Sequence, residues 1–261
     1  MPTEAGGSAR NGCDLGFVGE LKGHEGKINE VAFPNPDEPE TLVSCASDGT
    51  IRGWDTRSGQ QVDGYTAARQ ELFTCSQSSH LVAAGSEGKI IFWDRRTHKQ
   101  CGCFDETHAQ DVTQVRFHPG STSTLVSGSV EGLISVFDLS QGLDEEEGFK
   151  AALNIDNSVS RIGFYGAAGQ KLWCQTHTET LTLWEWSAAC QEDAAGGNGA
   201  LGEFGNAREA LSNAASTALR EPCQIDYLVG CEYNAATDQL WEAMKRWSDL
   251  CCGLEPRTTC A

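Results

Sequence analysis

Apolar residues in this chain fall in short runs broken by turn-forming residues, a pattern that predicts strands rather than helices. The clearest unit reads as a strand over Ile28 to Phe33, a turn over Pro34 to Glu40, a strand over Thr41 to Ala46, an Asp48-Gly49 turn, and a strand over Thr50 to Trp54. Asp-Gly suits a tight hairpin, because glycine takes a positive φ at no steric cost and aspartate tolerates it better than most residues. The scheme recurs with Thr113 to Phe117, a His118-Pro119-Gly120 turn, and Thr124 to Ser129. Each unit is therefore expected to be a small antiparallel meander.

The endings of these units repeat. Ser-Asp-Gly-Thr-Ile-Arg-Gly-Trp-Asp at 47–55, Ser-Glu-Gly-Lys-Ile-Ile-Phe-Trp-Asp at 86–94 and Val-Glu-Gly-Leu-Ile-Ser-Val-Phe-Asp at 130–138 all place a glycine five residues before an aromatic. A weaker copy, His-Thr-Glu-Thr-Leu-Thr-Leu-Trp-Glu at 177–185, has Glu179 where the turn glycine stands elsewhere. The aromatics at 54, 93, 137 and 184 recur 39, 44 and 47 residues apart. A period of this size marks a repeat architecture whose units share a continuous core.

Gly23-His24 near the start of the first unit and Trp54-Asp55 at its end resemble the WD-repeat family, whose units form four-stranded propeller blades. The resemblance implies an all-β propeller. It also implies a buried hydrogen-bond chain in each blade, with His24, Ser44 or Ser47, Asp48 and Trp54 as its members in the first unit. The third unit keeps His108, Ser127 or Ser129, and Glu131, but Phe137 has no N–H to donate. The second unit keeps Glu87 and Trp93, with Tyr65-Thr66 near its start in place of the histidine. Longer stretches, among them 106–119 with 126–129, and 225–230 with 237–240, resemble one eukaryotic subfamily of these proteins.

The expected organisation is a flexible N-terminus over 1–14; blades over 15–187, in units of about 22–58, 62–97, 107–140 and 153–187; and an Ala/Gly-rich insertion over 188–222 lying between blades. A partial blade over 223–241 and a divergent tail over 242–261 follow. Residues Leu15 to Leu21 are expected to be an outer strand of a neighbouring blade, and Asn206 to Leu219 a short marginal helix. Four to five blades fall short of a family ring of roughly seven, so the sequence reads as an incomplete, fragment-like propeller with an irregular C-terminal tail. An open ring presents unpaired strand edges, so the chain is expected to aggregate or to need a partner, and a truncated, non-functional product stands as one alternative.

Charge narrows the partners. With 37 acidic against 19 basic residues, the net charge of −18 disfavours nucleic acid and anionic membranes. No apolar run approaches the roughly 20 residues a spanning helix needs, and the expected location is cytoplasmic or nuclear. The acidic run Asp144 to Glu147 reads as a solvated loop. Twelve cysteines without an export signal read as reduced thiols, with Cys45, Cys75 and Cys174 as small buried hydrophobes. Cys101 and Cys103 near His98, and Cys251-Cys252, are the tight clusters; none shows paired zinc half-sites, so no metal and no cofactor are expected.

Catalytic patterns are equally sparse. Gly85-Ser86-Glu87-Gly88-Lys89 lacks the spacing of a phosphate-binding loop and is followed by Ile90, and the Cys174 and His177 pair has no orienting partner in sequence. No catalytic residue is expected, and the reading is of a non-enzymatic scaffold that binds other proteins. One constellation points to a more specific partner. Trp54-Asp55-Thr56-Arg57 and Trp93-Asp94-Arg95-Arg96 share the form Trp-Asp-x-Arg, which resembles the motif by which some WD-repeat proteins dock on a cullin–RING ubiquitin-ligase adaptor. Arg57 and Arg96 would there pair bidentately with carboxylates.

Overall fold

The computed structural model describes residues 19–33, 40–190, 200–219, 224–234 and 237–245. The chain folds as successive antiparallel sheets. The first holds β1 (Ile28–Ala32), β2 (Thr41–Ala46), β3 (Thr50–Asp55) and β4 (Gln60–Thr66), paired in that order. The second holds β5 (Thr74–Gln77), β6 (Leu81–Ser86), β7 (Lys89–Asp94) and β8 (Gln100–Phe104). The third holds β9 (Val112–Phe117), β10 (Thr124–Ser129) and β11 (Leu133–Asp138), followed by the one-turn helix α1 (Glu145–Gly148) and then β12 (Phe149–Asn154). The fourth holds β13 (Val159–Tyr165), β14 (Lys171–Thr176) and β15 (Leu181–Trp184), then a short helix α2 (Trp186–Ala189) and β16 (Ala200–Phe204). After helix α3 (Ala207–Leu219), β17 (Tyr227–Asn234) and β18 (Gln239–Lys245) make a two-stranded fifth sheet. This is the all-β, blade-by-blade architecture of a WD-repeat propeller.

Neighbouring sheets touch through their first strands: β1 meets β5, β5 meets β9, β9 meets β13, and β13 meets β17. Each seam between sheets carries its own apolar core. Val43, Ile51, Leu72, Val82 and Trp93 fill the first, and Phe92, Phe104, Val115, Leu125 and Phe137 fill the second. A second strand therefore has a neighbouring sheet on each face, and β6, Leu-Val-Ala-Ala-Gly-Ser, is buried along nearly its whole length. Its small residues follow from this crowding: a Cβ at Gly85 would stand 2.5 Å from the Val112 carbonyl of the next sheet.

The structure revises the unit boundaries. Each sheet's fourth strand lies beyond the Trp-Asp position: β4 belongs to the first sheet rather than opening the second unit, and β8 and β12, which fall largely between the expected units, close the sheets before them. These outer strands carry exposed polar positions, such as Gln60 and Gln61, and their hydrophobic signal is weak. The Ala/Gly-rich stretch is likewise not simply an insertion between blades, because its residues 200–204 pair with β15 as the outer strand of the fourth sheet. Helix α3 spans 207–219 and buries Ala207 and Leu211, one turn apart, against Trp173, Leu181, Ile225 and Leu228. The partial blade continues to Lys245 rather than ending near Trp241. The N-terminus over 1–14, Leu15 to Val18, most of the turn expected at 34–40, and the tail from 246 lie outside the described residues. Gly19 to Leu21 carry no strand.

Candidate functional site

In the first sheet the register sets Trp54 opposite Leu42, which makes Ser44 its diagonal neighbour on the same face. The indole Nε1–H of Trp54 donates to Ser44 Oγ at 2.8 Å, and Ser44 Oγ lies 2.8 Å from His24 Nε2. His24 Nδ1 is 3.2 Å from Asp48 Oδ2 and 3.0 Å from Thr50 Oγ1. Indole can only donate and carboxylate can only accept, so with a neutral imidazole the chain runs one way, from Trp54 through Ser44 and His24 to Asp48. Asp48 also accepts from the Glu25 N–H at 2.8 Å, the Thr50 N–H at 2.9 Å and the Thr50 hydroxyl at 2.7 Å. Burial pushes its pKa up, but these bonds outweigh burial and hold the carboxyl well below the ordinary aspartate range. Ser47 takes no part in this chain. Its Oγ accepts from the Lys27 N–H at 2.8 Å and fixes the entry to β1.

The third sheet builds a shorter version. His108 Nε2 lies 2.7 Å from Ser127 Oγ and Nδ1 lies 2.8 Å from Glu131, whose own N–H donates to Ser129 Oγ at 3.1 Å. Phe137 packs its ring 5.1 Å from that of Phe104. In the second and fourth sheets the positions equivalent to Ser44 are Ala84 and Cys174, since they stand diagonally to Trp93 and Trp184. Trp184 Nε1–H turns instead to Thr182 Oγ1 on its own strand, at 2.9 Å.

Ser44, His24 and Asp48 stand in the order nucleophile, base, carboxylate, yet the geometry works against chemistry. Ser44 is 2% exposed and Ser127 0%, so no substrate reaches either oxygen. Trp54 also donates into the lone pair that a nucleophile would need.

Of the outer residues, Trp54 and Trp93 are buried, Trp93 in the seam between the first two sheets, and present no surface. Asp55 and Asp94 close the hairpin turns that follow: Asp55 accepts from the Arg57 N–H at 3.0 Å and from the Ser58 hydroxyl at 2.7 Å, and Asp94 accepts from the Thr97 N–H at 2.7 Å. Arg57 and Arg96 are exposed at equivalent turns of adjacent sheets, Arg57 standing 3.5 Å from Glu40. The acidic run is not simply solvated. Glu145 is half-buried, and its carboxylate accepts from the N–H groups of Asp105, Glu106 and Thr107, pinning α1 to the turn before His108.

Among the described residues, metal-ligating side chains gather at Glu30, Cys45 and Cys75, whose ligand atoms all lie within 4.8 Å of one another. The three come from separate strands, so no spacing rule could find them. Cys101 and Cys103 are exposed, and the nearby His98 stacks on Tyr65 at 5.3 Å.

Repeated four-stranded sheets, seam cores and the histidine-centred hydrogen-bond chains of the first and third sheets define the class, and the chain belongs to the WD-repeat family. The family pattern described as WD domain, G-beta repeat, matches residues 16–55 and 99–138. The WD repeat-containing protein GTS1 of Arabidopsis thaliana is 37% identical over 232 residues, covering 86% of this chain and 55% of that protein. The WD repeat-containing protein 89 homolog of Dictyostelium discoideum is 34% identical over 222 residues, covering 84% of this chain and 56% of that protein. The chain thus spans just over half the length of these relatives.

Proposed function

We propose that this protein is a non-enzymatic scaffold for protein–protein interaction. The observation that carries the reading is the burial of both Ser–His–carboxylate sets inside blades, which leaves them a structural use. The turns between strands, by contrast, project charged side chains to solvent. Membership of the WD-repeat family supports it. Affinity purification with the chain as bait is expected to retain at least one protein reproducibly, and recovery of none from several lysates overturns the reading.

A second, narrower reading is docking on a cullin–RING ligase adaptor, favoured by the matched exposure of Arg57 and Arg96 one blade apart. The double variant Arg57→Ala, Arg96→Ala then loses the adaptor while other partners remain. Unchanged recovery of the adaptor, or none with the parent protein, rejects it.

A further inference from the structure

The seam between the first and second sheets differs chemically from the two that follow. Cys45 on β2 stands opposite Glu30 in register, as Gly85 stands opposite Thr74 and Gly128 opposite Gln114, so 45, 85 and 128 are equivalent positions. Cys75 on β5 pairs with Ala84, as Val115 pairs with Ser127 and Ile162 with Cys174, so 75, 115 and 162 are equivalent too. The following seams thus carry Gly85 with Val115 and Gly128 with Ile162 at these positions, and a Cβ on either glycine would meet a valine of the neighbouring sheet, Val112 or Val159. Here the same space is filled by two thiols, Cys45 at 0% and Cys75 at 1% exposure. Packing alone does not require sulfur, since glycine with valine or isoleucine serves it at the next two seams.

A carboxylate faces the thiols. Glu30 accepts from the Thr74 hydroxyl at 2.6 Å and the Cys75 N–H at 2.9 Å, and Arg116 of β9 donates to its other oxygen. We propose that Cys45, Cys75 and Glu30 form a three-donor site for a thiophilic divalent ion of the zinc class, stapling the first two blades together.

Charge and geometry both fit such an ion. Without metal, two neutral thiols, the Glu30 carboxylate and the Arg116 guanidinium sum to zero. Binding exchanges one divalent cation for the two thiol protons and leaves the buried group neutral again, so no net charge is carried into the seam. Zinc holds thiolates at about 2.3 Å, which sets two of them roughly 3.8 Å apart on a tetrahedral ion. Donor atoms already within 4.8 Å need close by only about 1 Å. Three protein donors hold zinc with a water in the fourth position. Arg116, Thr74 and the Cys75 N–H serve as the outer groups that orient the carboxylate. Two sulfurs select zinc over magnesium or calcium, which take oxygen. The Glu30 carboxylate, in contrast, contributes nothing to a plain disulfide. Because the thiols are fully buried, the ion enters as the blades dock during folding rather than afterwards.

The test compares the full chain with the variant Cys45→Gly, Cys75→Val, which removes both thiols and borrows the residue types of the next seam. Both are unfolded with denaturant and chelator under reducing conditions, freed of the chelator, and refolded with zinc in the presence of a chromophoric competitor or with cobalt. The parent is expected to bind one more equivalent of zinc than the variant and to show a thiolate-to-cobalt charge-transfer band that the variant lacks. Subtraction removes any contribution from the other cysteines. Glu30→Gln is expected to keep the thiols and weaken zinc by at least the ~10–100-fold that loss of an orienting partner costs. Equal zinc uptake by parent and variant overturns the proposal, as does a disulfide mapped to Cys45 and Cys75 by peptide mass analysis of the parent isolated without reductant. If circular dichroism shows the double variant unfolded, unchanged zinc affinity in Glu30→Gln overturns it instead.

Discussion

The guanidinium of Arg116, on the first strand of the third blade, donates to the carboxylate of Glu30, on the first strand of the first blade, across 86 residues of sequence. It reaches over the second blade, touching Thr74 Oγ1 at 3.3 Å on the way, and it also donates to Gln114 at 2.7 Å. Glu30, Thr74 and Gln114 are equivalent positions of three blades, so one side chain ties all three sheets together.

Removing Arg116 leaves Glu30, with its side chain only 12% exposed, as an uncompensated charge. Arg116→Met is therefore expected to destabilise by about 3 kcal/mol or more in denaturant unfolding. The double variant Glu30→Gln, Arg116→Met removes both charges and should recover much of that loss. A single-variant cost under about 1 kcal/mol contradicts this account of blade placement.

The two histidine chains predict unequal costs for the same substitution. Ser44→Ala orphans two buried groups, the Trp54 N–H and His24 Nε2, whereas Ser127→Ala orphans only His108 Nε2, because Phe137 offers no donor. With each orphan costing about 1–3 kcal/mol, Ser44→Ala should be worse by at least about 1 kcal/mol. Equal urea midpoint shifts, or the reverse order, would sink the directed chain drawn for the first blade.

The hairpin turns before the last aromatic share a left-handed residue: Gly49 at φ +74, Gly88 at +62, Gly132 at +87, and Glu179 at +61. Gly49 is also crowded, with two backbone oxygens, of Ala67 and Gln70, 2.7 Å from where a Cβ would sit. Gly49→Ala is expected to cost well over the ~1–2 kcal/mol of the conformation itself. Glu179→Ala keeps an already tolerated conformation and loses only the exposed pairing to Arg208 at 3.3 Å, so it should cost no more than about 1 kcal/mol. Thermal unfolding of the two variants side by side checks the ranking.

Acid should destabilise the fold in two stages. Burial lowers the pKa of His108 and of His118 below the ordinary imidazole value of 6.5, so the folded state binds fewer protons there than the unfolded chain. Stability from these groups is full above that value and is lost as pH falls through it towards their folded values. In Glu131, burial raises the pKa but the bonds from His108, Ser129 and the Ala109 N–H outweigh it; in Asp48 the balance falls the same way. Both carboxyls are depressed, so their contribution is lost at lower pH, below their ordinary values of 4.5 and 3.8. A melting temperature that stays flat from about pH 7.5 to pH 5 contradicts the histidine stage.

Much of the fold was legible in sequence because its signals are local. Asp48-Gly49 and the alternation around it mark β2 and β3, and Thr41–Ala46 and Thr124–Ser129 fall where the pattern places strands. The outer strands were harder to read. β16 sits in an Ala/Gly-rich stretch with almost no hydrophobic signal, and only the free edge of β15 gives it a partner. Glu145 reads as one acid among several until the backbone N–H groups at 105–107 are brought to it.

By itself the sequence determined the repeat and the strand-turn-strand unit, since these depend on spacing of a few residues, while the members of the histidine chains were implied by the family resemblance. Tertiary structure alone decided that Ser44 rather than Ser47 joins His24, because the choice turns on which side chain lies diagonal to Trp54 across the β2–β3 ladder. It alone brought Glu30, Cys45, Cys75 and Arg116 together as well. Their meeting depends on how blades dock, and docking is set by apolar surfaces summed over whole sheets, which no short window of sequence contains.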